Sequence, residues 1–368
     1  MLRRPLLTWL GTLPLASFDA KGAGDAVSST RALVFPRDFG AHPATRTEWW
    51  YATGWLNGAS TADAAPKPAY GFQVTFFRSR TEVDAAHPSR FAASQLVFAH
   101  AAVTDLARGR LRHDQRIARS GLGIAAAADA DTALALRDWQ LVRSGAAEAS
   151  RYRAQVHSDS AGFGFDCQLA STQPLLLQGV QGWSRKGPQP EQASHYYSQP
   201  QLDVSGTLTL DGAAQAVRGR AWLDHEWSDS LLDPQAVGWD WIGMNLADGS
   251  ALTAFRLRRA DGSALYAGGS FRPANGTARN FADGEVSFTP GRRWASPASR
   301  ANYPVQWIVQ TPAGRYTVQA LLDDQELDSR ASTGSIYWEG LAELRDETGR
   351  SIGHGYLEMT GYAGSLRL

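Results

Sequence analysis

Tyr70-Gly71-Phe72-Gln73-Val74-Thr75-Phe76-Phe77-Arg78 alternates, with Phe72, Val74 and Phe76 on one face and Gln73 and Thr75 on the other. Successive side chains of an extended chain point to opposite sides, so a period of two over this length predicts a half-buried β-strand. The pattern continues down the chain. Leu96, Phe98 and His100 alternate with Val97, Ala99 and Ala101; Phe163, Phe165, Cys167 and Leu169 share a face, as do Leu202, Val204, Leu208 and Leu210. Helical periodicity is hard to find.

The turns support the strands. Ala247-Asp248-Gly249-Ser250 returns as Ala260-Asp261-Gly262-Ser263, and Asp211-Gly212 and Asp283-Gly284 add further Asp-Gly pairs. Asp-Gly between alternating runs predicts a two-residue hairpin in which both central residues take positive φ. Pro312-Ala313-Gly314 and Asp346-Glu347-Thr348-Gly349 suggest two more hairpins. Strands this closely spaced predict antiparallel barrels or sandwiches. Two segments read as loops: Ser60 to Pro68, rich in Ala and Pro, and Trp183 to Pro200, long enough to form a lid or binding loop. Ala125 to Ala135 is open between a short helix and an insertion.

Composition narrows the partners. Thirty-six Lys and Arg balance thirty-six Asp and Glu, leaving no net field to attract nucleic acid or an anionic membrane surface. Cys167 is the single cysteine, so disulfide frameworks and Cys-based metal sites are excluded. At 368 residues the chain is long for one domain, and two are the default. Arg3 and Arg4 precede the short apolar run Leu6 to Leu15, which has the length of a signal h-region and is too brief to span a bilayer. The expectation is an exported, periplasmic or secreted protein, sent by a Sec or twin-arginine signal. It has an N-terminal signal segment (1–28) followed by two all-β antiparallel barrel or sandwich domains (29–232 and 233–368).

Three segments set ionisable groups among indoles: His42 to Tyr51, Ala221 to Trp227, and Gly238 to Trp241. On strands, Leu223, His225 and Trp227 share one face and Trp222, Asp224 and Glu226 the other, while Asp240 lies with Ile242, Met244 and Leu246. An Asp on an apolar face is costly unless it is paired or stays protonated, and a protonated one is a useful acid. Glu48, with Arg46 on its own strand face, is as easily a structural ion pair. The eight histidines show no metal-ligand spacing, so no metal is expected; a site assembled from distant His42, His100 and His225 stays open as the minor alternative. His195 and Tyr197, in the second loop, either line a pocket mouth or anchor packing. Nucleophile-elbow, Walker and dinucleotide motifs are missing from the sequence.

The ordered series HPATRTEWWYATGWL (42–56), YGFQVTFFR (70–78), FAHAAVTD (98–105), GWSRKGP (182–188), ASHYYSQPQLDVSGTL (193–208), GRAWLDHEWSDSLL (219–232), GWDWIGMNLADGSALTAFRLR (238–258), YWEG (337–340) and GYLEMTGY (355–362) resembles the AttH-like, carotenoid 1,2-hydratase (hydroxyneurosporene synthase) family. The resemblance implies a pair of lipocalin-like β-domains and an extracytoplasmic setting, with some members encoded beside ABC transporter permeases. Some relatives hydrate an isolated double bond of an acyclic carotenoid, and similar fungal proteins act on polyketide or isoprenoid-like substrates. By motif match the resemblance carries catalytic roles onto His225 and Trp227, and onto Asp240 and Trp239. This chain is closer to the AttH-like branch than to the dedicated carotenoid enzymes.

Hydrating an unactivated alkene requires a strong acid in a dry pocket, so Asp240 and Glu226 are the candidate proton donors and His225 the acceptor. Trp222, Trp227, Trp239 and Trp241 would steady the cation, with Glu48, Trp50, His195 and Tyr197 completing the ligand site. Such a reaction needs no organic cofactor. The alternative is a carrier that holds an apolar small molecule inside a barrel and hands it to an ABC transporter permease.

Overall fold

The structure, a computed structural model, describes residues 27–59, 67–84, 86–229 and 232–365. Most of the predicted signal segment and of the first predicted loop therefore lies outside the described residues. Those described hold no α-helix, only single 3-10 turns at Arg37–Phe39 and Ala147–Ala149. None of their helices is long and apolar enough to cross a membrane.

The first half supplies β1 (Thr47–Gly58), β2 (Tyr70–Arg80), β3 (Gln95–Asp105), β4 (Arg110–Arg119), β5 (Ala125–Ala127), β6 (Ala133–Leu136), β7 (Trp139–Ser144), β8 (Arg151–Ser158), β9 (Phe163–Ala170), β10 (Leu176–Leu177), β11 (Trp183–Arg185), β12 (Ala193–Leu210) and β13 (Ala213–Ser228). They form one antiparallel sheet in the order β4-β3-β2-β1-β13-β12-β9-β8-β7-β6-β5, with β10 and β11 added to β12. The sheet curls into a nearly closed barrel filled by Trp50, Phe72, Phe76, Trp139, Phe165 and Leu223, all essentially inaccessible to solvent.

The second half supplies β14 (Ala236–Leu246), β15 (Ala251–Arg259), β16 (Ala264–Arg272), β17 (Arg279–Phe281), β18 (Ser287–Pro290), β19 (Arg293–Ala295), β20 (Asn302–Pro304), β21 (Gln306–Thr311), β22 (Gly314–Ala320), β23 (Glu326–Ser329), β24 (Ser335–Arg345) and β25 (Ser351–Met359). Its main sheet runs β17-β16-β15-β14-β25-β24-β22-β21-β18, with β23 on β24. Ile242, Met244, Leu252, Trp307, Trp338 and Leu357 fill its interior.

The two sheets pack by their outer faces. Tyr51 and Trp222 of the first meet Trp241, Phe255, Leu341 and Tyr356 of the second in a shared apolar cluster. This packing explains why Gln73 and Thr75 are buried although the alternation predicts a half-exposed strand. One face of β2 fills its own barrel, and the other is covered by the second sheet.

Several local expectations change. Asp211 and Gly212 both take positive φ, as a two-residue hairpin between β12 and β13 requires, whereas at Asp248-Gly249 and Asp261-Gly262 only the glycine does. There the Asp side chain instead accepts the N–H of Ser250 or Ser263, an Asx turn that brings the chain round without straining the Asp backbone. Asp283-Gly284 joins β17 to β18, strands that do not pair, so it closes no hairpin. Ala125 to Ala135 contains the short strands β5 and β6, neither helix nor insertion. Trp183 to Pro200 is mostly strand: β11 and the start of β12 pair, leaving residues 186–192 as the loop. Both faces of β12 are buried here, which erases the polar alternation that signals a strand, and Pro200 falls at a break in register between Gln199 and Leu202.

Candidate functional site

Strand β13 divides the indole-flanked residues between two environments, because neighbours on a strand face opposite ways. His225 and Trp227 point into the first barrel, while Asp224 and Glu226 point toward the second sheet.

Inside the first barrel lies a closed polar network. Glu48 Oε1 meets His42 Nδ1 at 2.7 Å and His225 Nε2 at 2.9 Å; its other oxygen accepts from Arg78 Nε and from the His42 backbone N–H. His42 Nε2 reaches Asp38, which also pairs with Arg31. The hydroxyl of Tyr197 lies 3.0 Å from His225 Nδ1. Trp227 stacks on His42 and Trp50 on His225. Burial works against charge at all these groups. At Glu48 and Asp38 it is outweighed by the histidine and arginine contacts, which hold both carboxyls well below their usual range. His42, between two carboxylates, is raised despite burial, whereas burial takes His225 down to about 4.

His42, Glu48 and His225 also have the donor set of a metal site, unlike the distant combination with His100. Each donor is already matched by a hydrogen bond within the network, so the arrangement reads as a buried ionic lock. His195, opposite Trp227 on β12, packs against the same cluster.

Asp240 faces the interior of the second sheet. Arg256, its register partner on β15, donates to Oδ2 at 2.7 Å, Arg258 lies 3.7 Å from the same oxygen, and Tyr362 donates to Oδ1 at 2.8 Å. A carboxyl held this way is a structural charge partner. Asp240, expected as a proton donor, thus lies among Arg256, Arg258 and Tyr362, and His225, expected as the acceptor, lies with Glu48 inside the first barrel.

Between the two sheets runs a cleft to which both contribute. The first sheet provides Trp49, Tyr51, Phe77, His100, Tyr196, Asp224 and Glu226; the second provides Trp239, Trp241, Phe255, Tyr337, Glu339 and Glu358. The sequence-predicted residues that meet here are Glu226, Trp239 and Trp241, with Trp222 beneath them donating to Asp224 at 2.7 Å. Glu48, Trp50, Trp227, Tyr197 and His195 belong to the barrel interior instead.

The cleft is mostly apolar but holds carboxyl groups. Burial raises Asp224 to about 7, although Ser198, Trp222 and Tyr196 all donate to it. Burial also raises Glu358 to about 7, helped by the charges of Asp224 and Glu226 and opposed by a hydrogen bond from Trp239. Glu339, its register partner on β24, is raised well above the usual range by burial and by Glu358. Glu226 is paired instead: Lys186 Nζ lies 3.0 Å away, seated over the rings of Tyr196 and Phe255, and Ser194 donates to the same oxygen. Carboxylic acids poised near neutrality beside indole faces can donate a proton and steady the cation that results.

Glu339 and Glu358 are the residues that sequence reasoning missed. Tyr337, Glu339 and Leu341 share one strand face, as do Tyr356 and Glu358, the same signal of an acid among apolar neighbours that singled out Asp240.

The AttH-like family model matches residues 26–362. The fold is shared with an AttH protein of Nitrosomonas europaea, at 46% identity over 92% of this chain and 99% of that one, TM-score 0.83. Two further structures share the fold at low identity. Kievitone hydratase of Nectria haematococca is 15% identical over 91% of this chain and 94% of its own, TM-score 0.67. CghA is 13% identical over 89% and 93%, TM-score 0.52. No curated protein sequence matches. The family match across nearly the whole described chain and the close likeness to the Nitrosomonas protein make this chain a member of the AttH-like family.

Proposed function

We propose that the cleft between the two sheets binds an apolar, isoprenoid- or lipid-like molecule and hydrates an isolated C=C bond in it by acid catalysis. One observation carries the reading: Glu358 and Asp224, from opposite sheets, are both raised to about 7 by burial in an indole-lined cleft. Glu358 protonates the alkene at its less substituted carbon, and a tertiary cation forms. Its register partner Trp241, together with Trp239 and Trp49, presents aromatic faces to that cation, each contributing about 0.5 to 2 kcal/mol. Water then adds. The reading agrees with the fold shared with kievitone hydratase, and an exported protein would meet such ligands in the cell envelope.

Product analysis after incubation with geraniol and with lycopene, alongside binding measured by tryptophan quenching, tests the proposal. A hydrated product supports it. Binding without product in either case defeats the hydration step and identifies a carrier, for which an ABC transporter permease is the natural acceptor.

A further inference from the structure

Thr53 Oγ1 and Gln73 Oε1, beneath the cleft floor, have no hydrogen-bond partner among the described residues, and beside them Tyr51 Oη and Glu339 Oε1 have none but the contact between their own two side chains. Their residues are almost wholly buried and adjoin one another. Thr53 and Gln73 are register partners on β1 and β2, Gln73 Nε2 donates to Glu339 Oε2 at 2.7 Å, and Tyr51 lies beside Glu339. Buried polar groups without protein partners are normally matched by ordered water, which makes about three bonds in such a place. Two hydroxyls, an amide oxygen and a carboxyl oxygen are a suitable set.

A proton path leaves the same spot. Gln73 Nε2 is 3.5 Å from the hydroxyl of Tyr337, which lies 2.8 Å from His100 Nδ1. His100 Nε2 is 2.8 Å from Ser332 Oγ, and Ser332 donates to Gln115 at the half-buried rim. One tautomer satisfies the chain, with Tyr337 donating to Nδ1 and Nε2–H donating to Ser332. Burial, aided by the nearby His113, takes His100 down to about 3, so the ring is a neutral acceptor at working pH.

We propose that Tyr51, Thr53, Gln73 and Glu339 seat the water that adds to the alkene, and that Tyr337 and His100 carry its proton away. The inference rests on the hydration reading above. In the step, the water oxygen bonds to the tertiary carbon left when Glu358 has given its proton to the neighbouring carbon. The oxonium proton passes to the Tyr337 oxygen as the Tyr337 proton passes to His100 Nδ1, and the Nε2 proton leaves through Ser332. Glu358 regains a proton from solvent in the cleft. Glu339, Gln73, Thr53 and Tyr51 hold the water in place, while Tyr337 is the group that takes its proton.

The test uses the full chain with geraniol and lycopene as probes. Gln73→Met and His100→Gln should each lower kcat by about 10²-fold or more, the usual scale of a general acid–base group, with KM and tryptophan quenching unchanged. Tyr51→Phe, which removes a single oxygen, should lower kcat in the same direction and guards against misfolding in the other two. A crystal structure should show an ordered water bonded to Gln73 and Glu339, lost in Gln73→Met. Folded variants that turn over like the wild type, or a dry seat in the wild type, would overturn the inference while hydration stands. A wild type that hydrates neither probe removes the hydration reading, and this role with it.

Discussion

His225 and Glu226 are adjacent in the chain and lie on opposite sides of one sheet: the imidazole bonds Glu48 inside the first barrel, and the carboxyl pairs with Lys186 at the cleft. The side on which a residue emerges therefore decides whether a substitution should be felt as lost stability or as lost chemistry.

For the acid, Glu358→Gln should reduce turnover by about 10²-fold or more and leave ligand affinity intact. Since Glu358 is raised to about 7, wild-type turnover should decline as pH rises through that value. A rate that is flat from pH 6 to about 9 would remove Glu358 from the donor role.

The same variant has a stability signature. The folded state holds the Glu358 proton up to about 7, against an ordinary value of 4.5, so the native chain binds more protons between these values and the stability linked to the group is lost as pH rises through them. Glu358→Gln should therefore gain melting temperature relative to the wild type on going from pH 4 to about 8. Parallel melting curves across that range would contradict the raised value.

On the barrel side, Glu48→Gln leaves His42, His225 and Arg78 around a neutral group and should cost about 3 to 5 kcal/mol, the usual penalty for breaking a buried ion pair. His225→Gln should cost about 1 to 3 kcal/mol. In both, turnover per folded molecule should be preserved. Urea unfolding combined with active-fraction kinetics measures the two effects separately. A His225→Gln protein of undiminished stability and lost turnover would return the imidazole to the chemistry.

Asp240→Asn provides a parallel case in the second sheet. It removes the charge facing Arg256 and Arg258 and should destabilise by about 3 to 5 kcal/mol without changing ligand affinity. The urea midpoint and tryptophan quenching provide the readout.

The extent to which the sequence discloses this molecule follows from what a period of two can report. It separates the faces of β13 correctly, because Leu223 belongs to a closed core and Trp222 with Asp224 to an outer face. It does not report that the outer face is covered by a second sheet, so Gln73 reads as exposed and the chemistry is sought on the more apolar side, at His225 and Asp240. The partners that hold those two residues, Glu48 on β1, two positions from the Trp50 that lies opposite His225, and Arg256 on β15, directly opposite Asp240, are placed by strand pairing, which local sequence does not encode. Glu358 faces Asp224 across more than a hundred residues of chain, and only the packing of sheet on sheet brings them into one electrostatic neighbourhood.

A cleft walled by the outer faces of two sheets, each with its own filled core, separates what must be kept from what is free to vary. Each core is complete without the cleft, so a substitution at Trp239, Phe255 or Glu339 reshapes the pocket while leaving the hydrophobic interiors of both sheets untouched. A small change in how the two sheets lean on each other would alter the whole gap at once. Selection on such a scaffold can exchange ligands, and even reactions, at little risk to folding, and that latitude suits a fold shared by a hydratase and proteins only a seventh identical to this chain.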